Sequence, residues 1–226
     1  MCGRYAVTLP PEAMATLFAS LDRPNLPPRW NVAPTQMIPI CAIGKAGDRR
    51  LISARWGLRP VWMEKDPPTG PLFNARSETA PEKPAFRSAF KAKRCLIPAD
   101  GFYEWRKEGK TRTPFFIHRA DGAPMVFAGL WESAKGPDGA PLISAAILTA
   151  AAGPDTAALH DRVPVLVTPP DFSAWLDRET PLDLARGLMH APPDGALIFH
   201  EVSARVGSVA NDDASLVAPV RASALL

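Results

Sequence analysis

Cys2 offers the most reactive chemistry in this 226-residue chain, because removal of an initiator methionine ahead of it would leave a cysteine as the first residue. Its α-amine and thiol would then sit on adjacent carbons. An α-amine titrates near 7.7–8.0 against about 10.4 for lysine, so roughly a tenth of it is free base at neutral pH. Such an amine condenses with an aldehyde to an imine, and the neighbouring thiolate can close onto the imine carbon to give a five-membered thiazolidine. Amine or thiol alone gives a more reversible adduct. Taken by itself, residue 2 reads as the start of a frayed terminus. Three other residues suit the same chemistry. Glu104 stands in the aromatic run Phe102-Tyr103-Glu104-Trp105, and period-two alternation in a strand puts it on the face of Phe102, away from Tyr103 and Trp105. A carboxyl so placed is partly desolvated, which raises its pKa and fits it to shuttle protons; a buried glutamate paired to an arginine fits the same pattern. His160, at a loop end before a strand, titrates in the range needed for the proton transfers of imine formation, and alone also fits a hydrogen-bonded histidine. Asn74 carries an amide that both donates and accepts, and alone reads as a turn residue.

Each of these four residues has an arginine two positions on: Arg4, Arg76, Arg106 and Arg162. In extended backbone i and i+2 share a face, so each reactive group would carry a guanidinium fork suited to phosphate. Arg106 lies among lysine and glutamate and reads as surface, which leaves Arg4, Arg76 and Arg162 as candidate phosphate contacts. Trp56 and Trp62, with Pro60, offer a stacking or wedging surface for bases, and a tryptophan fits the core equally well. Cys41 and Cys95, in apolar runs, read as inert core thiols. Three cysteines without CxxC spacing suggest neither a disulfide framework nor a structural zinc site. The four histidines, His118, His160, His190 and His200, lack ligand spacing, and GxGxxG, P-loop, GxSxG and HExxH motifs are absent. Neither a metal nor an organic cofactor is expected.

Short elements must position these groups. Met14, Leu17, Phe18 and Leu21 recur at helical spacing and predict a helix from Pro11 to Leu21. Strand-like runs follow at Met37–Ile43, Leu51–Trp56, Cys95–Ile97, Phe102–Trp105, Pro114–His118, Met125–Trp131, Leu142–Thr149, Val163–Thr168 and Leu197–Val202. Proline and a nearby aspartate open two more helices at Pro170–Asp177 and Leu182–Met189. Residues 22–35, 63–71 and 134–140 read as loops. Strands in runs with peripheral helices predict an α+β class, and no segment reads as a domain linker, so residues 1–226 are expected to form one domain. With 46% hydrophobic and 22% charged residues the chain has the makings of an ordinary core, and without an 18-residue apolar stretch or a leading apolar run it is expected to be intracellular with no membrane partner. The net charge of +3 conceals an asymmetry: residues 1–119 hold 20 basic against 10 acidic side chains (+10), and residues 120–226 hold 6 against 13 (−7). The first half is a candidate polyanion-binding surface, or a solvated basic face with no partner.

The segments Met1-Cys2-Gly3-Arg4-Tyr5, Asn31-Val32-Ala33-Pro34, Trp56-Gly57-Leu58-Arg59-Pro60, Asn74-Ala75-Arg76-Ser77-Glu78-Thr79, Ala99-Asp100-Gly101-Phe102-Tyr103-Glu104-Trp105 and His160-Asp161-Arg162-Val163-Pro164-Val165 occur in an order that closely resembles the SRAP (SOS response-associated peptidase) family. The resemblance runs through nearly the whole chain. It implies an α+β domain with a barrel-like core of antiparallel sheets, flanking helices and a DNA groove across one face. It also implies a sensor and shield of abasic sites in single-stranded DNA, crosslinked through Cys2 after removal of Met1, in part by self-processing. Asn74, Glu104 and His160 become the catalytic candidates beside Cys2. A monomer in the cytoplasm, associated with the nucleoid during DNA damage, is the matching expectation. Strand cleavage by β-elimination is a possible side reaction. Two other readings stay open from the residues: a peptidase with Cys2 as nucleophile, and a non-catalytic single-stranded nucleic-acid-binding module built on the basic first half.

Overall fold

The structure, a computed structural model, describes residues 2–136 and 139–220. Met1, whose removal the Cys2 chemistry requires, lies outside the described residues, as do positions 137 and 138 of the expected 134–140 loop. In chain order the elements begin β1 (Tyr5–Val7), α1 (Pro11–Phe18), β2 (Arg29–Val32), β3 (Met37–Ile43), β4 (Arg49–Trp56) and β5 (Asn74–Arg76). They continue α2 (Arg87–Ala92), β6 (Arg94–Ala99), β7 (Gly101–Glu108), β8 (Thr111–Arg119), β9 (Met125–Lys135) and β10 (Pro141–Ala151). Last come α3 (Pro154–Ala157), β11 (Arg162–Pro164), α4 (Phe172–Leu176), α5 (Leu182–Gly187) and β12 (Leu197–Glu201).

Strands β10, β4, β3, β6 and β9 hydrogen-bond in that order, and β9 returns to β10, closing a five-stranded barrel. This bears out the α+β class. The near-continuous apolar sequences of β3, β6 and β10 reflect burial on both faces, whereas β4, with Arg49, Arg50, Ser53 and Arg55, is only partly buried. Ile38, Ile40, Cys95, Ile97, Phe127, Ala145 and Ile147 share one apolar cluster with Tyr5, Trp56 and Phe102. The alternate residues Cys41, Leu51, Leu96, Ala128, Leu130, Ala146 and Leu148 pack with Met14 and Phe18 of α1, Phe90 of α2 and Trp175 of α4. A second sheet, β12-β8-β7-β1-β2, is antiparallel throughout. In the barrel the pairing departs from the antiparallel expectation at one strand, since β4 and β5 both run parallel to β10. Those partners are far apart in sequence, so long connections, not hairpins, join them.

Local differences from the sequence reading have local causes. Helix α1 stops at Phe18 because Ala19 turns left-handed (φ 51°) and its N–H closes back on Thr16, which leaves Leu21 92% exposed. The expected 22–35 loop contains β2, recruited by pairing with β1. The 170–177 helix opens as a 3-10 turn, Pro169–Asp171, before α4. The expected Val163–Thr168 strand is reduced to β11, with one isolated bridge between Leu166 and Phe127.

Gly101 shows how tightly β7 is set. A Cβ there would lie 2.4 Å from the Ile117 carbonyl oxygen and 2.5 Å from the Phe116 ring. Gly101→Ala is therefore expected to destabilise the fold by about 1–3 kcal/mol, measured by denaturant melting, through displacement of the strand that carries Glu104.

Candidate active site

The antiparallel pairing of β1 with β7 places Tyr5 opposite Phe102, and the Tyr103 N–H donates to the Arg4 carbonyl at 2.9 Å. Continued toward the N-terminus, that path brings Cys2 beside Glu104, whose carboxylate acts electrostatically on the thiol. Phe102 packs into the barrel core while Tyr103 and Trp105 pack on the opposite face against the C-terminal segment, the alternation expected of the strand. Cys2 is fully buried. Burial pushes its thiol well above the ordinary range, and the Glu104 charge pushes the same way. The thiol is therefore protonated at rest. Glu104 is also buried, and desolvation raises its pKa, with the Asp161 charge adding to the rise.

Asn74, at the start of β5, donates from Nδ2 to the Cys2 carbonyl oxygen at 2.8 Å. Its Oδ1 is buried with no hydrogen-bond partner among the described residues, so an acceptor points into the site unused. On the other edge of β10, β11 pairs Ala151 with Arg162. His160 sits at the entry to this strand, and its neighbours Leu159 and Val163 belong to the same apolar cluster as Cys2. Its Nδ1 lies 3.0 Å from the Arg162 N–H and 2.7 Å from Asp161 Oδ1. Burial lowers the His160 pKa, which favours a neutral ring whose Nδ1 accepts from Arg162 and whose proton sits on Nε2. The mainly solvated Asp161 carboxylate, 82% exposed, is the weaker claimant on Nδ1. Cys2, Asn74, Glu104 and His160, distant in sequence, thus come together where β1, β5, β7 and the β11 entry meet.

The arginines divide. Arg76 is exposed on β5. Arg4 is largely engaged: Nη1 donates to Asn31 Oδ1 (2.8 Å) and the Val206 carbonyl (2.7 Å), with the guanidinium 6.0 Å over the Trp105 ring. It ties the N-terminal strand to the C-terminal segment. Arg162 is held by Glu78 and Thr149. Neither of these two residues was singled out from the sequence; a glutamate inside the Asn74–Thr79 segment and a threonine ending an apolar strand were the available signals.

Of the aromatic surface, only Trp62 is open, at 61% exposure. Trp56 and Pro60 are buried, which corrects the expectation of a stacking face at those positions. The Trp56 indole N–H donates to the Phe73 carbonyl at 2.9 Å and its ring packs edge-on against Tyr5, 5.2 Å between centroids. The barrel core claimed it because a buried indole keeps its one donor satisfied there. Cys41 and Cys95 are buried as expected, with the Cys41 thiol pushed up to about 12 by desolvation. Among the described residues no three His, Cys, Asp or Glu side chains are grouped to hold a metal, and no helix is long and apolar enough to cross a membrane.

The family model described as SOS response associated peptidase (SRAP) matches residues 1–209. The abasic site processing protein YoqW of Bacillus subtilis (strain 168) is 34% identical over 222 residues, spanning 96% of this chain and 99% of that protein. The abasic site processing protein YedK of Escherichia coli (strain K12) is 32% identical over 228 residues, spanning 97% and 100%. A crystal structure of a protein from Bacteroides thetaiotaomicron superposes with a TM-score of 0.85 at 20% identity, covering 97% of this chain and all of that one, a likeness of fold.

Proposed function

The chain belongs to the SOS response associated peptidase (SRAP) family, and on that premise we propose that it processes abasic sites in single-stranded DNA by covalent capture through Cys2. The observation that supports this most is the Cys2 carbonyl held by Asn74 beside the buried carboxyl of Glu104. The reading requires Met1 to be removed, which frees the α-amine.

The α-amine nitrogen then adds to the aldehyde carbon of the ring-opened deoxyribose. Glu104, whose carboxyl holds its proton more tightly because it is buried, donates to the departing oxygen, which leaves as water and yields a protonated imine that keeps the N–H of the former amine. Glu104 is now a carboxylate beside a thiol that cannot ionise unaided, and it takes the thiol proton as sulfur bonds to the imine carbon. The C=N electron pair returns to nitrogen, the thiazolidine closes with a neutral N–H, and Glu104 is left protonated as it began. One carboxyl thus serves as acid and then base. His160, neutral with Nε2–H, assists proton transfer at ring opening, and the free Oδ1 of Asn74 accepts from the α-amine or a sugar hydroxyl. Exposed Arg76 contacts backbone phosphate, Trp62 stacks on a base beside the lesion, and Arg4 orders the strand that presents Cys2. The imine also permits β-elimination of the 3′ phosphate, a lyase reaction that ring closure suppresses.

Incubation of Met1-processed protein with a single-stranded oligonucleotide carrying one abasic site tests the proposal by denaturing gel and intact mass. The expected adduct equals the sum of the two masses less one water and maps to Cys2. The alternative of a Cys2-nucleophile peptidase draws support from the family description. Peptide cleavage without DNA adduct would favour it. Salt-sensitive binding indifferent to the abasic site would favour a passive single-strand binder.

A further inference from the structure

Arg162, a candidate phosphate contact, already grips a carboxylate. Its Nη1 donates to Glu78 Oε1 at 2.6 Å and its Nη2 to Oε2 at 2.8 Å, while Nη2 also reaches the Thr149 carbonyl. A carboxylate and a phosphodiester present the same pair of acceptor oxygens to a guanidinium fork, so one excludes the other from this edge. Exposure decides which partner can leave. The Arg162 side chain is 10% exposed and fixed on β10 through Thr149, whereas Glu78 is 51% exposed. Glu78 projects from the turn after β5, where the Thr79 and Ala80 N–H groups close on the Arg76 carbonyl. A half-solvated carboxylate loses little by returning to water. Arg76, two residues earlier and exposed, adds a second positive charge that acts on the Glu78 carboxylate.

We propose that Glu78 is a specificity-determining gate, an internal phosphate surrogate that closes the Arg162 fork in the free protein and swings out when a DNA phosphate takes its place. This rests on the reading of the chain as an abasic-site DNA binder. Every encounter with a strand must displace Glu78. An undamaged strand gains nothing further and dissociates, while an abasic strand is retained by covalent capture. The gate therefore weakens binding to ordinary DNA without weakening the final product.

Fluorescence anisotropy with an abasic-free single-stranded oligonucleotide isolates the noncovalent step. Glu78→Gln keeps the shape and removes the charge, and is expected to tighten binding by roughly 5- to 30-fold and to steepen the log–log salt dependence by about one phosphate equivalent. Glu78→Ala should tighten it as well, with melting curves confirming that both variants fold. In an Arg162→Gln background the gain should vanish, since the effect acts through that fork. Unchanged or weaker binding by Glu78→Gln, or a gain that persists without Arg162, overturns the gate and makes Glu78 a residue that merely aims Arg162. If the wild type and all variants fail to bind at low salt, the DNA reading itself fails, an outcome distinct from wild-type binding with no gain.

Discussion

Cys2→Ala, prepared so that residue 2 keeps a free α-amine, is expected to lose the heat-stable DNA adduct by on the order of 100-fold or more while retaining imine formation. The physical reason is intramolecularity. Sulfur and nitrogen on adjacent carbons close the ring at an effective concentration no external thiol reaches, and without sulfur the imine either hydrolyses or eliminates. The variant should therefore form an adduct that borohydride traps, and should cleave the strand 3′ to the lesion more than the wild type does. Unfolding does not explain such a loss, because the sulfur is a single buried atom within a cluster that includes Leu159 and Val163. Its removal costs roughly 1 kcal/mol, which a melting curve would reveal. Unchanged heat-stable crosslinking by Cys2→Ala would sink the thiazolidine account.

Most strands of the barrel were legible because their sequences are apolar on both faces. Met37–Ile43 matches its predicted bounds, and Leu51–Trp56, Cys95–Ile97 and Met125–Trp131 differ from the observed strands only at their ends. Three short strands, β1, β2 and β5, left no such signal, because three or four residues complete no recognisable period and their pairing depends on partners far along the chain. Two of the three carry the site's setting: β1 presents Cys2, and β5 carries Asn74. The catalytic candidates were legible through residue type and through the resemblance, whereas their mutual placement was not, since it depends on β10 receiving β5 on one edge and β11 on the other. The arginine-at-i+2 pattern shows the limit of reasoning from spacing. It identifies a shared face but not whether the face is vacant, and both Arg4 and Arg162 are engaged by the protein's own acceptors. Trp56 fails as a stacking residue for a related reason: residue type offered either a stacking face or the core, and its neighbours in space are Tyr5 and Phe73.

Engagement of Arg4 by the protein's own acceptors preorganises the N-terminal strand. Asn31 donates from Nδ2 to the carbonyls of Ser208 (2.9 Å) and Asn211 (2.7 Å) while accepting from Arg4, so the C-terminal segment braces the strand that leads to Cys2. Reactive groups fixed this way lose little conformational freedom in the reaction itself. What stays adjustable is protonation, which the proposed mechanism assigns to the buried carboxyl of Glu104.

Glu104→Gln is accordingly expected to slow covalent capture by about 10²- to 10⁴-fold, the range typical of losing a positioned acid–base group. The amide can still hydrogen-bond but can neither protonate the departing oxygen nor accept the thiol proton. Measured as crosslink formation against pH, the wild-type rate should show an inflection above the usual carboxylate range, where burial places Glu104, and the variant should lack it. Stability should move the other way. In the native state Glu104 keeps a proton that the unfolded chain gives up above about pH 4.3, so wild-type stability falls as pH rises from there through the raised native pKa and remains lower above it. Glutamine carries no such penalty. The variant should therefore melt higher than the wild type at neutral pH, with the difference vanishing below the unfolded pKa. Activity lost while stability is gained marks a group kept for chemistry at the expense of the fold. Loss of both would instead make Glu104 a structural member of the β7 face, and proton transfer would then have to fall to His160 alone.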